Sequence, residues 1–322
     1  MIGEFIKYIE FEKRYSSRTV EIYRDALYSF YSYIYNDRSG ESSDPVSSLD
    51  QADLLSVLTY RDIRSYVAYS IGEGLGARTV NLHLSALSSY CSWLLKRDLL
   101  DSNPVKKISR PKENKRLPSF YTQSALDRFF AQSGLDGTAE SVQKLSFHKY
   151  RNLVLLLLIY STGMRRSEVV ALRKEDFDPN RRLFRVVGKG DKLREIPIPI
   201  SVCEEILLYL ERIKNEFPEI DPGLFFVTDS GKKIYPEFVN EVVHEELDGQ
   251  EGFSGKRSPH VLRHSLATHL LNNGADLNSI KEILGHSSLA ATQVYTHNSF
   301  AILKKTYITA HPRAKNGGNY EN

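Results

Sequence analysis

The stretch SRTVEIYRDALYSFYSYI, residues 17–34, sets the fold class of the first part of the chain. Its apolar residues Val20, Tyr23, Leu27, Phe30, Tyr31 and Ile34 recur three or four apart, on one face of an α-helix. Ser16 and Ser17 stand at its start, where a hydroxyl serves as an N-cap. The register returns downstream: Arg78-Thr79-Val80 repeats Arg18-Thr19-Val20, Ala86-Leu87 repeats Ala26-Leu27, and Ser89 repeats Ser29. This predicts a second long helix from Thr79 to about Arg97. Between the two, a helical unit begins at Thr59, with Asp62 completing a capping box, and ends at the Gly72, Gly74 and Gly76 cluster. Two copies are too few for a solenoid, so the reading is a duplicated element in a small all-α domain. Residues 36–57, rich in Ser, Asp and Gly, read as a long loop.

After Asn103-Pro104 comes a basic segment in which Pro111 and Pro118 block regular structure. It marks a domain boundary: a helical domain over 1–107, a linker over 108–117 and a second domain over 118–322. The second domain reads as mostly helical with one β element. Residues 182–187 and 194–200 are strand-like runs flanking Gly188-Lys189-Gly190-Asp191-Lys192, a turn with two glycines. Helices are predicted over about 201–216, 236–247, 260–273 and 277–284, with Gly274 and Gly285 as the terminating glycines of the last two. The fold class is thus mainly α in two domains, with a small β-hairpin.

A length of 322 residues fits two domains of ordinary size, and 41% hydrophobic with 26% charged residues is the balance of a globular protein. The longest apolar run, Leu153 to Tyr160, is far shorter than the roughly 20 residues a bilayer requires, so it reads as buried core. The start, Met1-Ile2-Gly3-Glu4-Phe5, has no basic-then-apolar pattern, and the expectation is a cytoplasmic protein without a signal peptide. Two distant cysteines, Cys91 and Cys203, exclude a disulfide framework and a cysteine-built zinc site.

Net charge is only +3, but it is unevenly spread. Residues 1–110 balance fourteen basic against fourteen acidic groups. Residues 106–116 hold Lys106, Lys107, Arg110, Lys112, Lys115 and Arg116 against Glu113 alone. Residues 151–194 carry eleven Lys or Arg against five Asp or Glu. Two basic islands in a nearly neutral chain suit a polyanion that touches particular surfaces, or simply two solvated faces.

Four segments concentrate the reactive side chains: Thr162 to Glu168, Gly188-Lys189-Gly190, His260 to His264, and Leu284-Gly285-His286 leading to Tyr295. They contain no Walker-type phosphate loop, no His-Glu-x-x-His pair and no carboxylate cluster for two metals; what is left is cationic, two arginines, a lysine and two histidines, with a tyrosine near the end. Each residue also has a plainer reading. Lys189 is a hairpin-tip lysine, His286 a loop residue after a glycine, and Tyr295 one of nineteen tyrosines. Arg165 and Arg166 at a helix start, and His260 and Arg263 at another, are set against the helix dipole unless an anion lies there.

Taken in order, the segments resemble the motif set of the tyrosine site-specific recombinases, the phage-integrase family, and within it the bacterial Xer-type branch. Tyr160 to Glu168 resembles the first arginine motif, and Gly188 to Lys192 followed by Arg194-Glu195-Ile196-Pro197 resembles the β-hairpin lysine. Pro259 to Leu271 is similar to the family's most recognisable box. Leu284-Gly285-His286-Ser287-Ser288 and Thr292 to His297 supply a histidine and a tyrosine. The resemblance covers about residues 1–310, with loops at 36–57, 132–148 and 248–257 looser than a minimal Xer protein.

The resemblance implies a SAM-like core-binding domain over residues 1–107 and a catalytic domain that together clamp duplex DNA. It implies Arg165, Lys189, His260, Arg263 and His286 as catalytic residues, Tyr295 as nucleophile and Glu168 as accessory. Lys106, Lys107, Arg110, Lys112, Lys115 and Arg116 would lie on the DNA backbone. The activity implied is metal- and ATP-independent cutting and rejoining through a 3′-phosphotyrosyl link and a Holliday junction. Its partners would be paired half-sites and a homo- or hetero-tetramer at the nucleoid, in chromosome dimer resolution or mobile-element integration. An apolar tail containing Phe300, Ile302, Leu303, Tyr307 and Ile308 would dock on a neighbouring subunit. The competing readings are a type IB topoisomerase-like enzyme and a catalytically silent architectural DNA binder.

Overall fold

The computed structural model describes residues 1–39, 51–113, 120–188, 193–253, 255–285 and 305–314. The chain divides into two compact units, Met1–Arg116 and Leu117–Asn322.

The first unit is all helical. Its elements are α1 (Ile2–Lys7), continued by a π-helical turn over Tyr8–Glu12, α2 (Ser17–Ser39), α3 (Gln51–Ser56), α4 (Tyr60–Gly72) and α5 (Ala77–Leu95). The apolar stripe of residues 17–34 faces inward as its period requires: Val20, Leu27, Phe30, Tyr31 and Ile34 are buried, packed with Leu84, Leu87, Tyr90 and Leu94 of α5. Thr59 caps α4 by accepting from the Asp62 N–H at 3.1 Å, and the Thr59 hydroxyl donates to the Asp62 carboxylate at 2.7 Å. The reading of 36–57 as a loop is corrected at both ends, and its middle, residues 40–50, lies outside the described residues. α2 runs on to Ser39, and α3 is held down by buried Leu54, whose carbonyl accepts from the Tyr31 hydroxyl at 2.9 Å.

The segment after α5 is anchored to it. Buried Asn103 caps a 3-10 turn over Pro104–Lys107 and donates to the Ser88 carbonyl at 3.0 Å. Further on, the Asn81 amide donates to the Pro111 carbonyl at 3.0 Å. Arg110 donates to the Asn81 carbonyl at 3.0 Å and the Ser85 hydroxyl at 3.1 Å. Residues 108–113, read as linker, thus lie along α5.

The second unit contains α6 (Gln123–Gln132), α7 (Ala139–Lys144), α8 (Phe147–Thr162), α9 (Arg166–Ala171), α10 (Ile200–Glu216), α11 (Pro236–Leu247), α12 (Pro259–Asn272) and α13 (Leu277–Leu284). Residues 305–310 are also helical. An antiparallel sheet of β1 (Phe177–Asp178), β2 (Leu183–Val187) and β3 (Leu193–Pro197) has the order β1-β2-β3, with Val187 opposite Leu193 and Val186 opposite Arg194. α8 is the central post: from Tyr150 to Thr162 every residue is buried, which is why its sequence lacks an amphipathic face. It packs against α10, α11 and α12.

Candidate active site

The centre of the site is built where α8 ends. Gly163 closes the helix in the left-handed region, φ +61°, and the chain then runs extended through Arg165 into α9. A Cβ at Gly163 would collide with Leu284 and press on Leu266, so both the turn and the packing demand glycine. The Gly163 carbonyl accepts from Arg263 Nη1.

Arg165 lies at the N-cap of α9, and Glu168 reaches back to accept from its backbone N–H at 2.7 Å and from Nη1 at 2.8 Å. Glu168 is buried, which by itself would raise its pKa. The charge and hydrogen bonds of Arg194, with those of Arg165, more than offset this and hold the carboxyl below its ordinary range.

Three arginines converge on the C-terminal end of α13. Arg194 Nε donates to the Ile283 carbonyl at 2.9 Å, Arg263 Nη2 to the Leu284 carbonyl at 2.5 Å, and Arg165 Nη2 to the Gly285 carbonyl at 2.5 Å. The last carbonyls of a helix have no partner within it and form the negative end of its dipole, so they accept guanidinium donors readily. Arg263 is buried, and its pKa falls to about 10 through burial and the neighbouring Arg165. It still carries its charge at neutral pH. Arg165 retains 28% of its side-chain exposure, which keeps it within reach of a bound anion.

His260, in the first turn of α12, is exposed. Its pKa lies below the usual histidine value because of partial burial and the positive charges of Arg263, Arg166, Lys256 and Arg165. At neutral pH it is therefore an uncharged imidazole, able to take a proton. His269 faces the core instead: it accepts from the Tyr160 hydroxyl at Nδ1 (2.9 Å) and donates from Nε2 to the Tyr121 carbonyl (2.9 Å).

Arg165, Glu168, Arg263 and His260 thus share one region. Lys189, His286 and Tyr295 lie outside the described residues, as do Lys115, Arg116, Phe300, Ile302 and Leu303. Lys106, Lys107 and Lys112 are exposed in the first unit, whereas Arg110 is engaged with α5. Tyr307 is buried in its own unit, its hydroxyl donating to the Ser161 carbonyl, which also accepts from His311 Nε2 at 3.1 Å. The helical turn at 305–310, read above as a docking element, has an intramolecular seat at this point because that buried hydroxyl finds its acceptor there. Among the described residues no group of three His, Cys, Asp or Glu side chains is placed to hold a metal ion.

Residues 136–301 match the phage integrase family model, and residues 2–98 match the N-terminal SAM-like domain of phage integrases. The chain belongs to the phage integrase family. Among its relatives, the tyrosine recombinase XerC of Bacillus pumilus is 34% identical over 98% of this chain and 97% of its own. That of Bacillus licheniformis is 35% identical over 97% and 96%. The fold is shared with the XerH site-specific recombinase bound to its difH substrate (TM-score 0.62, 22% identity, covering 92% of this chain and 81% of that one). It is shared too with the Tn1549 transposon integrase in complex with transposon right end DNA (TM-score 0.65, 15% identity, 94% and 98%). The family member described here is a tyrosine recombinase, mainly α, with a SAM-like N-terminal domain ahead of its catalytic domain. The helical copies and the order of the motif segments signalled this in the sequence. Arg194, which the sequence places in the hairpin motif without a role, is the residue that reading missed; its signal was a charge at an inward position of β3, in step with buried Ile196.

Proposed function

We propose that the chain cuts and rejoins DNA at a specific site through Tyr295, leaving a 3′-phosphotyrosyl link, and exchanges strands through a Holliday junction. The observation that supports this reading most is the pair Arg165 and Arg263, fixed on adjacent carbonyls beside an uncharged His260. A phosphodiester attacked by a phenolate gains charge on its non-bridging oxygens, and preorganised guanidinium donors stabilise that charge. The Tyr295 Oη forms the new bond to phosphorus while the bond to the 5′-oxygen breaks. A phenol has a pKa of about 10, so it must lose its proton to a base, the role assigned to His260. Lys189 returns a proton to the leaving 5′-oxygen, and His286 holds a phosphate oxygen. Glu168 fixes Arg165 without exchanging protons.

Lys106, Lys107, Lys112, Lys115 and Arg116 are assigned to the phosphate backbone, with a domain division at 107 and 118 around the linker. The working assembly is a tetramer on paired half-sites, at the nucleoid, with Phe300, Ile302 and Leu303 assigned by their sequence pattern to contact with a neighbouring copy. A synthetic Holliday junction tests the reading, built on the site that the protein selects from a pool of randomised duplexes. Resolution into paired duplexes is expected; plasmid relaxation without resolution would contradict it.

A further inference from the structure

Arg194 has no part in the chemistry just assigned, yet it is tightly engaged beside it. Its side chain is 7% exposed. Nε donates to the Ile283 carbonyl at 2.9 Å, and Nη1 and Nη2 grip the two oxygens of Glu168 at 2.9 and 2.7 Å. With these donors aimed at protein acceptors and its face covered, Arg194 does not reach a bound strand. What it does reach is the support of Arg165 from two sides. Glu168, which it grips, accepts from the Arg165 backbone and guanidinium. Ile283, which it takes, is two residues before Gly285, the carbonyl on which Arg165 rests. The end of α13 is moulded to this side chain. Gly285 has φ +67°, and a Cβ there would lie 3.2 Å from Arg194 Cδ and Nη1, tighter than ordinary packing.

We propose that Arg194 is a positioning residue for strand cleavage, locking Glu168 and the end of α13 so that Arg165 is presented to the phosphate. By the same anchorage it ties β3 to the end of α13. The chemistry demands arginine. Only a planar fork meets both carboxylate oxygens while a third N–H meets a carbonyl; an ammonium is a point charge with no such geometry. Without the fork, a Glu168 oxygen loses its Arg194 donor and turns to Arg165, which already bonds this carboxylate. The carboxylate then draws the Arg165 guanidinium inward, away from the anion it should hold. The inference rests on the reading of the site as a strand-cleaving one.

The test is single-turnover cleavage by full-length R194K on a nicked suicide duplex carrying the selected site, compared with wild type. The amplitude reports the fraction of folded, competent protein, and the rate constant reports the geometry within that fraction. The expected result is an unchanged amplitude and half-site affinity with a rate constant lowered about tenfold or more, the scale of a misplaced catalytic group. The variant R194Q, which leaves Glu168 charged and also lacks the fork, guards against loss of fold in R194K; it should show the same slow rate constant. A wild-type rate constant in either folded variant, or a loss confined to amplitude, overturns the proposal. Absence of any adduct with wild type would instead overturn the cleavage reading on which it stands.

Discussion

Arg165 and Arg263 hang on neighbouring carbonyls, Gly285 and Leu284, and Arg165 shares the Glu168 carboxylate with Arg194. Charge is left in the site for a substrate oxygen. R165A and R263A should each slow cleavage by at least about 100-fold, the effect of losing one oxyanion donor, while half-site binding changes far less. Gel shifts and single-turnover cleavage on the selected site separate the two effects, and near-normal cleavage in either variant would remove it from the clamp. Gly163 is the backbone counterpart. G163A places a Cβ against Leu284 in a left-handed turn, at a cost of at least about 1 kcal/mol from the conformation alone. The variant should melt earlier and cleave slowly, because the Gly163 carbonyl that holds Arg263 must move; unaltered melting would show that the turn is not under this constraint. Tyr307 is the next tyrosine after Tyr295 in the chain. Burial pushes its pKa well above the ordinary value and its hydroxyl is bound to the Ser161 carbonyl, so it is unsuited to attack.

Among the elements, long amphipathic helices were legible from the sequence because their apolar residues keep a 3.6-residue period and their caps are local. Thr59 with Asp62 and Gly285 after Leu284 are cases in point. The short helices α3 and α7 were not legible. Each spans six residues in polar surroundings, and α3 is fixed by the distant Tyr31 hydroxyl. The site was legible as an ordered set of residue types, but its assembly was not. The Arg194–Glu168 pair and the carbonyl edge of α13 join segments far apart in sequence. The 305–310 turn carries a prediction of its own. His311 is fully buried behind it, and its pKa is pushed down to about 3 chiefly by burial. Its depressed folded value means that the unfolded chain binds the proton first. Stability is therefore intact above pH 6.5 and lost as the pH falls from 6.5 towards 3, with a slope approaching about 1.4 kcal/mol per unit. His269, also lowered by burial, adds to the same limb. H311Q keeps an amide donor for the Ser161 carbonyl but does not titrate. Denaturant unfolding across this range should show a shallower acid limb than wild type; an equal slope would place the titration elsewhere.

For the molecule as a whole, DNA binding is a matter of where a nearly neutral chain keeps its positive charge. Lys106, Lys107 and Lys112 stand exposed beside α5, and Lys115 and Arg116 follow them in sequence. Replacing Lys112, Lys115 and Arg116 with Gln should weaken binding to all sequences alike. It should also reduce the salt dependence by roughly 0.9 in log–log slope for each DNA phosphate that these side chains no longer neutralise. Arg110 should behave differently: with its guanidinium on the Asn81 carbonyl and the Ser85 hydroxyl, R110Q should loosen the seat of the segment on α5 more than it changes the slope. An unchanged slope in the triple variant would show those side chains turned away from the backbone. Cleavage through Tyr295 leaves that one tyrosine covalently joined to DNA, and the adduct itself can be captured and mapped. Wild-type protein and Y295F are incubated with the nicked suicide duplex, and the denaturant-stable adduct is quantified and its peptide mapped by mass spectrometry. The expected result is an adduct on Tyr295 linked to the 3′ side of the cut, and intact DNA binding without any adduct in Y295F. An adduct persisting in Y295F would place the nucleophile on another residue, and one joined to the 5′ side would rule out a 3′-phosphotyrosyl link.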